Sequence, residues 1–211
     1  MSARTDESYG QRGLTWADRL GVWLSQRAIR RHLPKRTGLE ILELGCGHRA
    51  TQLTALEPML KRGLGVDFHV SPELHGLPKF TFYEGAIEEI MPKLKDESVD
   101  AVMMISVLEH LGNPISALAS AWRLLKPSGV LLINVPTWRG KTFLEFSAFR
   151  LRWSPKVEMD DHKMYYDKRD LWPLLIQVGF KPSLIRLAYH KFGMNLFAAA
   201  SKDAANCDPP G

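Results

Sequence analysis

Between residues 39 and 135, short apolar runs alternate with stretches whose apolar positions recur at helical spacing. The runs predict strands near 39–44, 63–67, 79–84, 98–105 and 129–135, with helices near 50–60, 87–94 and 114–125 between them. Val99-Asp100-Ala101-Val102-Met103-Met104-Ile105 is apolar almost throughout, as expected of a parallel strand with helices on both faces. Leu125-Lys126-Pro127-Ser128 and then Gly129 read as a turn from helix into strand. A helix near 167–178, closed by Gly179, precedes two late strands, 180–189 and 194–201, separated only by His190 to Gly193. So short a link predicts an antiparallel pair, because a parallel crossover needs about a dozen residues or more. The pattern is α/β: a doubly wound sheet with helices on both faces, ending in a hairpin.

Two regions depart from the alternation. Residues 1–13 are polar, and a helix then runs to Pro34, with Trp16, Leu20, Trp23, Leu24 and Ala28 at helical spacing and Thr15 and Asp18 resembling a capping box. The favoured reading packs its Trp face on the domain; the sharper one lays a basic amphipathic helix on a membrane surface. Residues 136–166 interrupt the strand–helix order with Trp138, Phe143, Phe146, Phe149, Trp153, Tyr165 and Tyr166. An aromatic insertion at the carboxyl end of a strand reads as a lid and pocket wall. The organisation expected is therefore a basic segment over 1–38, a catalytic domain over 39–201 with its lid at 136–166, and a flexible tail over 202–211.

Composition narrows the classes. The chain has 211 residues, 45% hydrophobic and 24% charged, enough for one domain with a substantial core. No apolar run is long enough for a membrane span or a signal segment. The two cysteines, Cys46 and Cys207, exclude a disulfide framework and fit a reducing cytoplasm. The net charge of +5 is already present in residues 1–38, where eight Lys/Arg face three Asp/Glu. A basic segment on a neutral body is no electrostatic groove, which disfavours nucleic acid as a partner.

The chemistry starts at Ile41-Leu42-Glu43-Leu44-Gly45-Cys46-Gly47, an apolar strand running into a glycine turn, with Asp67 ending the next strand. Bare backbone at Gly45 and Gly47 lets a ligand approach closely, and Asp67 suits the two hydroxyls of a ribose. This describes a site for a nucleoside-bearing cofactor. The glycine spacing alone also fits a dinucleotide, but Glu43 stands where a pyrophosphate would be repelled and an ammonium welcomed. Cys46 reads as a small filler, not a nucleophile.

On these residues the chain resembles the class I S-adenosylmethionine-dependent methyltransferases, nearest the small-molecule branch called type 11. The resemblance spans roughly 39–200 and rests on Leu42-Glu43-Leu44-Gly45-Cys46-Gly47, Gly65-Val66-Asp67, Tyr83-Glu84-Gly85-Ala86, Ser106-Val107-Leu108-Glu109-His110-Leu111, Leu124-Leu125-Lys126-Pro127-Ser128-Gly129 and Gly179-Phe180, in that order. It implies a Rossmann-like sheet of about seven strands, the last antiparallel, and S-adenosyl-L-methionine as cofactor. By position, Glu43, Gly45, Cys46 and Gly47 would hold its methionine part, Asp67 and Phe68 its ribose side, Gly85 and Ala86 its adenine, and Ser106 would lie beside the methionine moiety. Three positions depart from the pattern: Arg49 and Ser128 replace glycines common there, and Ala86 replaces an aspartate that meets the adenine, leaving Glu88 or a backbone carbonyl for that contact.

Methyl transfer from a sulfonium needs the acceptor atom, methyl and sulfur held in line, and a hydroxyl acceptor gains from a base. His110, directly after the fourth strand, and His162, within Asp160-Asp161-His162-Lys163, are the candidates. A metal site from Asp160, Asp161, His162 and Glu109 lacks ligand spacing, so no metal is expected. The leading expectation is methyl transfer to a small or medium-sized acceptor, at an oxygen nucleophile. A lipid-linked, quinone-like or sugar-containing acceptor fits the aromatic insertion, and peripheral membrane contact fits the first helix. The alternatives are a non-catalytic cofactor-binding member and a nicotinamide oxidoreductase, the latter disfavoured by Glu43, the terminal hairpin and the lack of a Tyr-x₃-Lys pair.

Overall fold

The computed structural model describes residues 16–141 and 163–204. Helix α1 (Trp16–His32) leads into β1 (Leu39–Leu44), a single turn α2 (Thr51–Thr54) and β2 (Leu60–Asp67). Next come β3 (Phe80–Glu84), the short α3 (Ile87–Ile90), β4 (Val99–Ile105), α4 (Pro114–Leu124) and β5 (Leu125–Pro136). After the segment 142–162 the chain continues as α5 (Lys168–Gln177), β6 (Ile185–His190) and β7 (Asn195–Ser201).

The strands form one seven-stranded sheet in the order β3-β2-β1-β4-β5-β7-β6. β1 to β5 are parallel, β7 pairs antiparallel with β5, and β6 pairs antiparallel with β7. The hairpin read from the short link at residues 190–193 is therefore present, and it closes the sheet edge. Two cores lie on the two faces. One joins Leu42, Val102 and Leu131 to α4 and α5; the other joins Ile41, Met103 and Leu132 to α1 and the α2 turn.

Two predicted helices are shorter than their patterns. Residues 50–60 give only α2 and a 3-10 turn at Glu57–Met59, and β2 begins at Leu60. Pro58 and Pro92 lack the amide that a continuing helix needs, and α3 likewise passes into a 3-10 turn at Met91–Lys93. The face of α1 also differs from the favoured reading. Ser25, Ile29 and Leu33 are buried, while Trp23 is 56% exposed.

The two ends of the sheet are built differently. Where the strands begin, charges are paired: Asp100, 6% exposed, accepts from Arg36 at 2.7 Å and from the Glu40 amide at 2.7 Å. Lys126 bridges Glu40 and Asp100 at 2.6 and 3.3 Å. Lys202, placed by pattern in the tail, is buried there, with its ammonium on the Leu125 carbonyl and Glu97, both at 3.0 Å, and over the Trp122 ring. Where the strands end, backbone clamps hold the two borders of the aromatic insertion. The Thr137 hydroxyl donates to the Gly193 carbonyl, and its amide to that of Met194. The Lys163 amide donates to Glu109 O and the Tyr166 amide to Pro136 O.

Candidate active site

The glycine turn sits at the carboxyl end of β1, between β2 and β4. Gly45 and Gly47 have φ of 66° and 73°, the left-handed region. Both Gly45 and Cys46 amides donate to Val66 O, which folds the turn over the end of β2. A Cβ on Gly45 would stand 2.3 Å from Val107 Cγ2, so no other residue fits there without displacing the loop after β4. At the position of the missing third glycine, Arg49 is exposed, and Ala50 takes the left-handed conformation instead, with φ of 43°.

Asp67 ends β2 beside this turn. Its two carboxylate oxygens accept from the Gly47 amide at 2.7 Å and the Phe68 amide at 2.8 Å. A carboxylate at this position is the kind of group that accepts from the two hydroxyls of a ribose. Glu43 is 1% exposed, and its Oε2 has no hydrogen-bond partner. Burial lifts its carboxyl well above the usual carboxylate range; the Leu53 amide counters this in part, and the Asp67 charge adds to it. An ammonium delivered here would relieve both the orphan oxygen and the desolvation. These residues fit the amino-acid and ribose parts of S-adenosylmethionine. Cys46 is buried, and burial followed by the charges of Glu43 and Asp67 pushes its thiol far up, so only its backbone is offered to a ligand.

The remaining expected contacts border the same turn. The Gly85 amide donates to Asp67 O, and Gly85 has φ of 144°. Ala86 opens α3, and the exposed Glu88 follows it. Ser106 directly follows β4 with φ of 58°, its amide on Asn134 O at 2.8 Å. His110 closes the 3-10 turn Leu108–His110 and is half-buried. His162 lies outside the described residues, as does most of the expected lid.

A second layer of polar groups caps β4 and β5, and only its position in the fold reveals it. Glu109 is 1% exposed, its Oε2 has no partner, and burial pushes its carboxyl up to about 8. Lys191, on the β6–β7 link, is the cation that faces it, with its own ammonium held below its ordinary value by burial. Tyr166 is pushed up to about 12 by burial and then by the charges of Glu109 and Asp170. Asn134 on β5 is fully buried, and neither side-chain amide atom is partnered. The sequence signal for Glu109 was its place beside His110. Asn134 and Lys191 gave none, because each reads as an ordinary strand or turn residue.

A profile of the methyltransferase domain matches residues 17–183. The chain belongs to that family. It is 28% identical over 159 residues to the ubiquinone biosynthesis O-methyltransferase of Dinoroseobacter shibae, covering 69% of this chain and 61% of that protein. To a probable S-adenosylmethionine-dependent methyltransferase of Mycolicibacterium smegmatis it is 29% identical over 102 residues, covering 47% and 38%. The chain thus spans less than two thirds of the length of these curated relatives. A solved S-adenosylmethionine-dependent methyltransferase of Archaeoglobus fulgidus superposes with a TM-score of 0.64 at 16% identity, covering 90% and 96%, a likeness of fold. Family and fold together bear out the class I resemblance, and S-adenosyl-L-methionine is the cofactor they imply.

Proposed function

We propose that this chain transfers a methyl group from S-adenosyl-L-methionine to a hydroxyl of a small or medium-sized acceptor. The observation that carries this reading is the row of buried polar groups without partners at the strand ends. Each such group costs about 1–3 kcal/mol unless something satisfies it, and Glu43 near the end of β1, Glu109 just after β4 and Asn134 near the end of β5 all lie toward the carboxyl ends of the strands, where ligands bind in parallel α/β sheets. Glu43, the glycine turn and Asp67 take the cofactor. Glu109, Asn134 and Tyr166 lie beyond them, at the acceptor end.

The cofactor, when bound, supplies an electrophilic methyl on a sulfonium. The chain's own task is orientation and exclusion of water. Gly45 and Val107 fix the wall beside the turn. Asn134 can both donate to and accept from an acceptor hydroxyl, and His110, with His162 as second candidate, takes the proton. A quinone-like, lipid-linked or sugar-containing acceptor suits the aromatic insertion, and the relatives named for ubiquinone biosynthesis support the first of these. Peripheral membrane contact through α1 would bring such an acceptor within reach.

The test is thermal unfolding with S-adenosylmethionine, S-adenosylhomocysteine or NADH, followed by mass spectrometry of acceptors incubated with the first. At about 100 times the dissociation constant a ligand adds about 2.7 kcal/mol, a rise of about 5–11 °C at this size. A rise with both adenosyl compounds, and a gain of one methylene mass on a catechol or quinol, is expected. A rise with NADH alone overturns the reading, and cofactor binding without turnover on any acceptor favours a non-catalytic member.

A further inference from the structure

From Arg19 onward, the exposed residues of α1 form one stripe. Arg19, Leu20, Trp23, Arg27 and Arg31 are all exposed, and at 100° per residue they fall within an arc of about 120°; Arg30 lies in the same arc but folds its guanidinium onto the Ala55 carbonyl. Ser25, Ile29 and Leu33 occupy the opposite, buried side. From Arg19 to Arg36 the sequence contains no Asp or Glu. A Trp more than half exposed among arginines adds nothing to the core.

A further exposed apolar residue lies in a link that reaches α1. Lys191, Phe192 and Gly193 in the β6–β7 link have φ of 47°, 60° and 83°. A bulky residue in the left-handed region is a costly outlier, of the kind that clusters at functional surfaces. Phe192 is 90% exposed. Its neighbour Lys191 reaches α1: its ammonium lies 3.6 Å from where a Cβ on Gly21 would stand. The link follows His190, which pairs with Asn195, and Asn195 pairs with Pro136 at the end of β5. Phe192 and the first turns of α1 therefore border the same end of the sheet as the glycine turn.

We infer that this face, α1 together with the Phe192 link, docks on the interface of a bilayer containing anionic lipid. The argument is charge complementarity joined to exposed apolar groups. Guanidinium groups match lipid phosphates, and Trp, Leu and Phe at the same level enter the headgroup boundary. A nucleic acid would gain from the arginines but not from Leu20. Docked this way, the first turns of α1 and the Phe192 link hold the site's end of the sheet beside the layer from which a lipid-linked acceptor would come. That benefit rests on the proposed acceptor, whereas the docking itself does not.

The experiment is co-sedimentation of the full chain with vesicles of phosphatidylcholine alone and of an equal mixture with phosphatidylglycerol, at low and high salt. Binding to the mixed vesicles at least about tenfold tighter than to phosphatidylcholine, and weakened by salt, is expected. Trp23→Ala and the double variant Arg27→Ser/Arg31→Ser should each lower it by about tenfold. Phe192→Gly should also lower binding while raising the melting temperature, because glycine suits that backbone; this separates docking from folding. Equal binding to both vesicles, variants indistinguishable from wild type, or displacement by single-stranded RNA would each overturn the proposal. So would a dimer in solution that Trp23→Ala dissociates. Methyl transfer to a soluble phenol, measured without vesicles, reads the chemistry separately.

Discussion

The Asp67 carboxylate accepts the Gly47 amide at 2.7 Å, across the gap between the glycine turn and the end of β2. One side chain thus shapes the turn and presents the oxygens expected to meet the ribose. Asp67→Asn puts an amide donor against either the Gly47 or the Phe68 amide. It should weaken S-adenosylhomocysteine binding by about 10–100-fold, the range for losing a charged hydrogen bond. Calorimetric titration measures this, and an unchanged affinity would remove Asp67 from the cofactor site.

Gly45 and Val107 should behave as a coupled pair. Gly45→Ala combines a strained left-handed residue with a Cβ 2.3 Å from Val107 Cγ2, for a cost of about 2–4 kcal/mol. In a Val107→Ala background that cost should fall by at least about 1 kcal/mol, because the steric part disappears while the strain stays. Urea unfolding of the four proteins gives the coupling. Strict additivity would mean that the loop after β4 does not wall the turn.

The buried acids set a pH dependence of the ligand-free protein. Glu109 is raised from 4.5 to about 8 by burial, so the stability it contributes is complete below about pH 4.5 and is lost as the pH rises through about 8. Glu43, raised for the same reason, acts in the same direction. Stability should decline across the Glu109 window by up to about 1.4 kcal/mol per pH unit. Glu109→Gln should flatten the curve, and unfolding at a series of pH values checks it. Parallel curves for wild type and variant would show that Glu109 is ionised in the native state.

His110→Ala should lower kcat by roughly 10²–10⁴-fold while leaving S-adenosylhomocysteine affinity within about twofold. The split between turnover and cofactor binding is the diagnostic, since a merely structural histidine would move both. Full activity in the His110→Ala/His162→Ala protein would remove the base altogether.

What could be read from the chain follows the range of the interactions involved. The strands β1 to β5 and the terminal hairpin were legible because alternation and link length are local signals. So was the Glu43, Gly45, Gly47 and Asp67 group, whose spacing encodes a turn and its neighbouring strand. Helix lengths were overestimated at Pro58 and Pro92, where apolar spacing continues past a residue that cannot donate. The burial side of α1 was misjudged because Trp23 and Leu20 fit a helical stripe equally well facing in or out. Glu109 and Lys191 face each other only after the loop beyond β4 and the β6–β7 link have been placed side by side, and the burial of Asn134 depends on β5 lying between β4 and β7; no spacing rule carries that.

The clamps at Thr137, Gly140, Lys163 and Tyr166 give the frame an unusual independence. Gly140 passes so near Met194 that a Cβ would lie 2.2 Å from its carbonyl oxygen, and the Lys163 and Tyr166 amides are tied to Glu109 and Pro136. Both borders of residues 142–162 are thus fixed by backbone contacts that ask nothing of the residues between them. Lengthening a segment whose ends are already held costs little, since each doubling adds only about 0.6 kcal/mol of closure entropy. The sheet and the cofactor turn are thus closed on both sides of that segment by contacts made within residues 16–141 and 163–204 themselves.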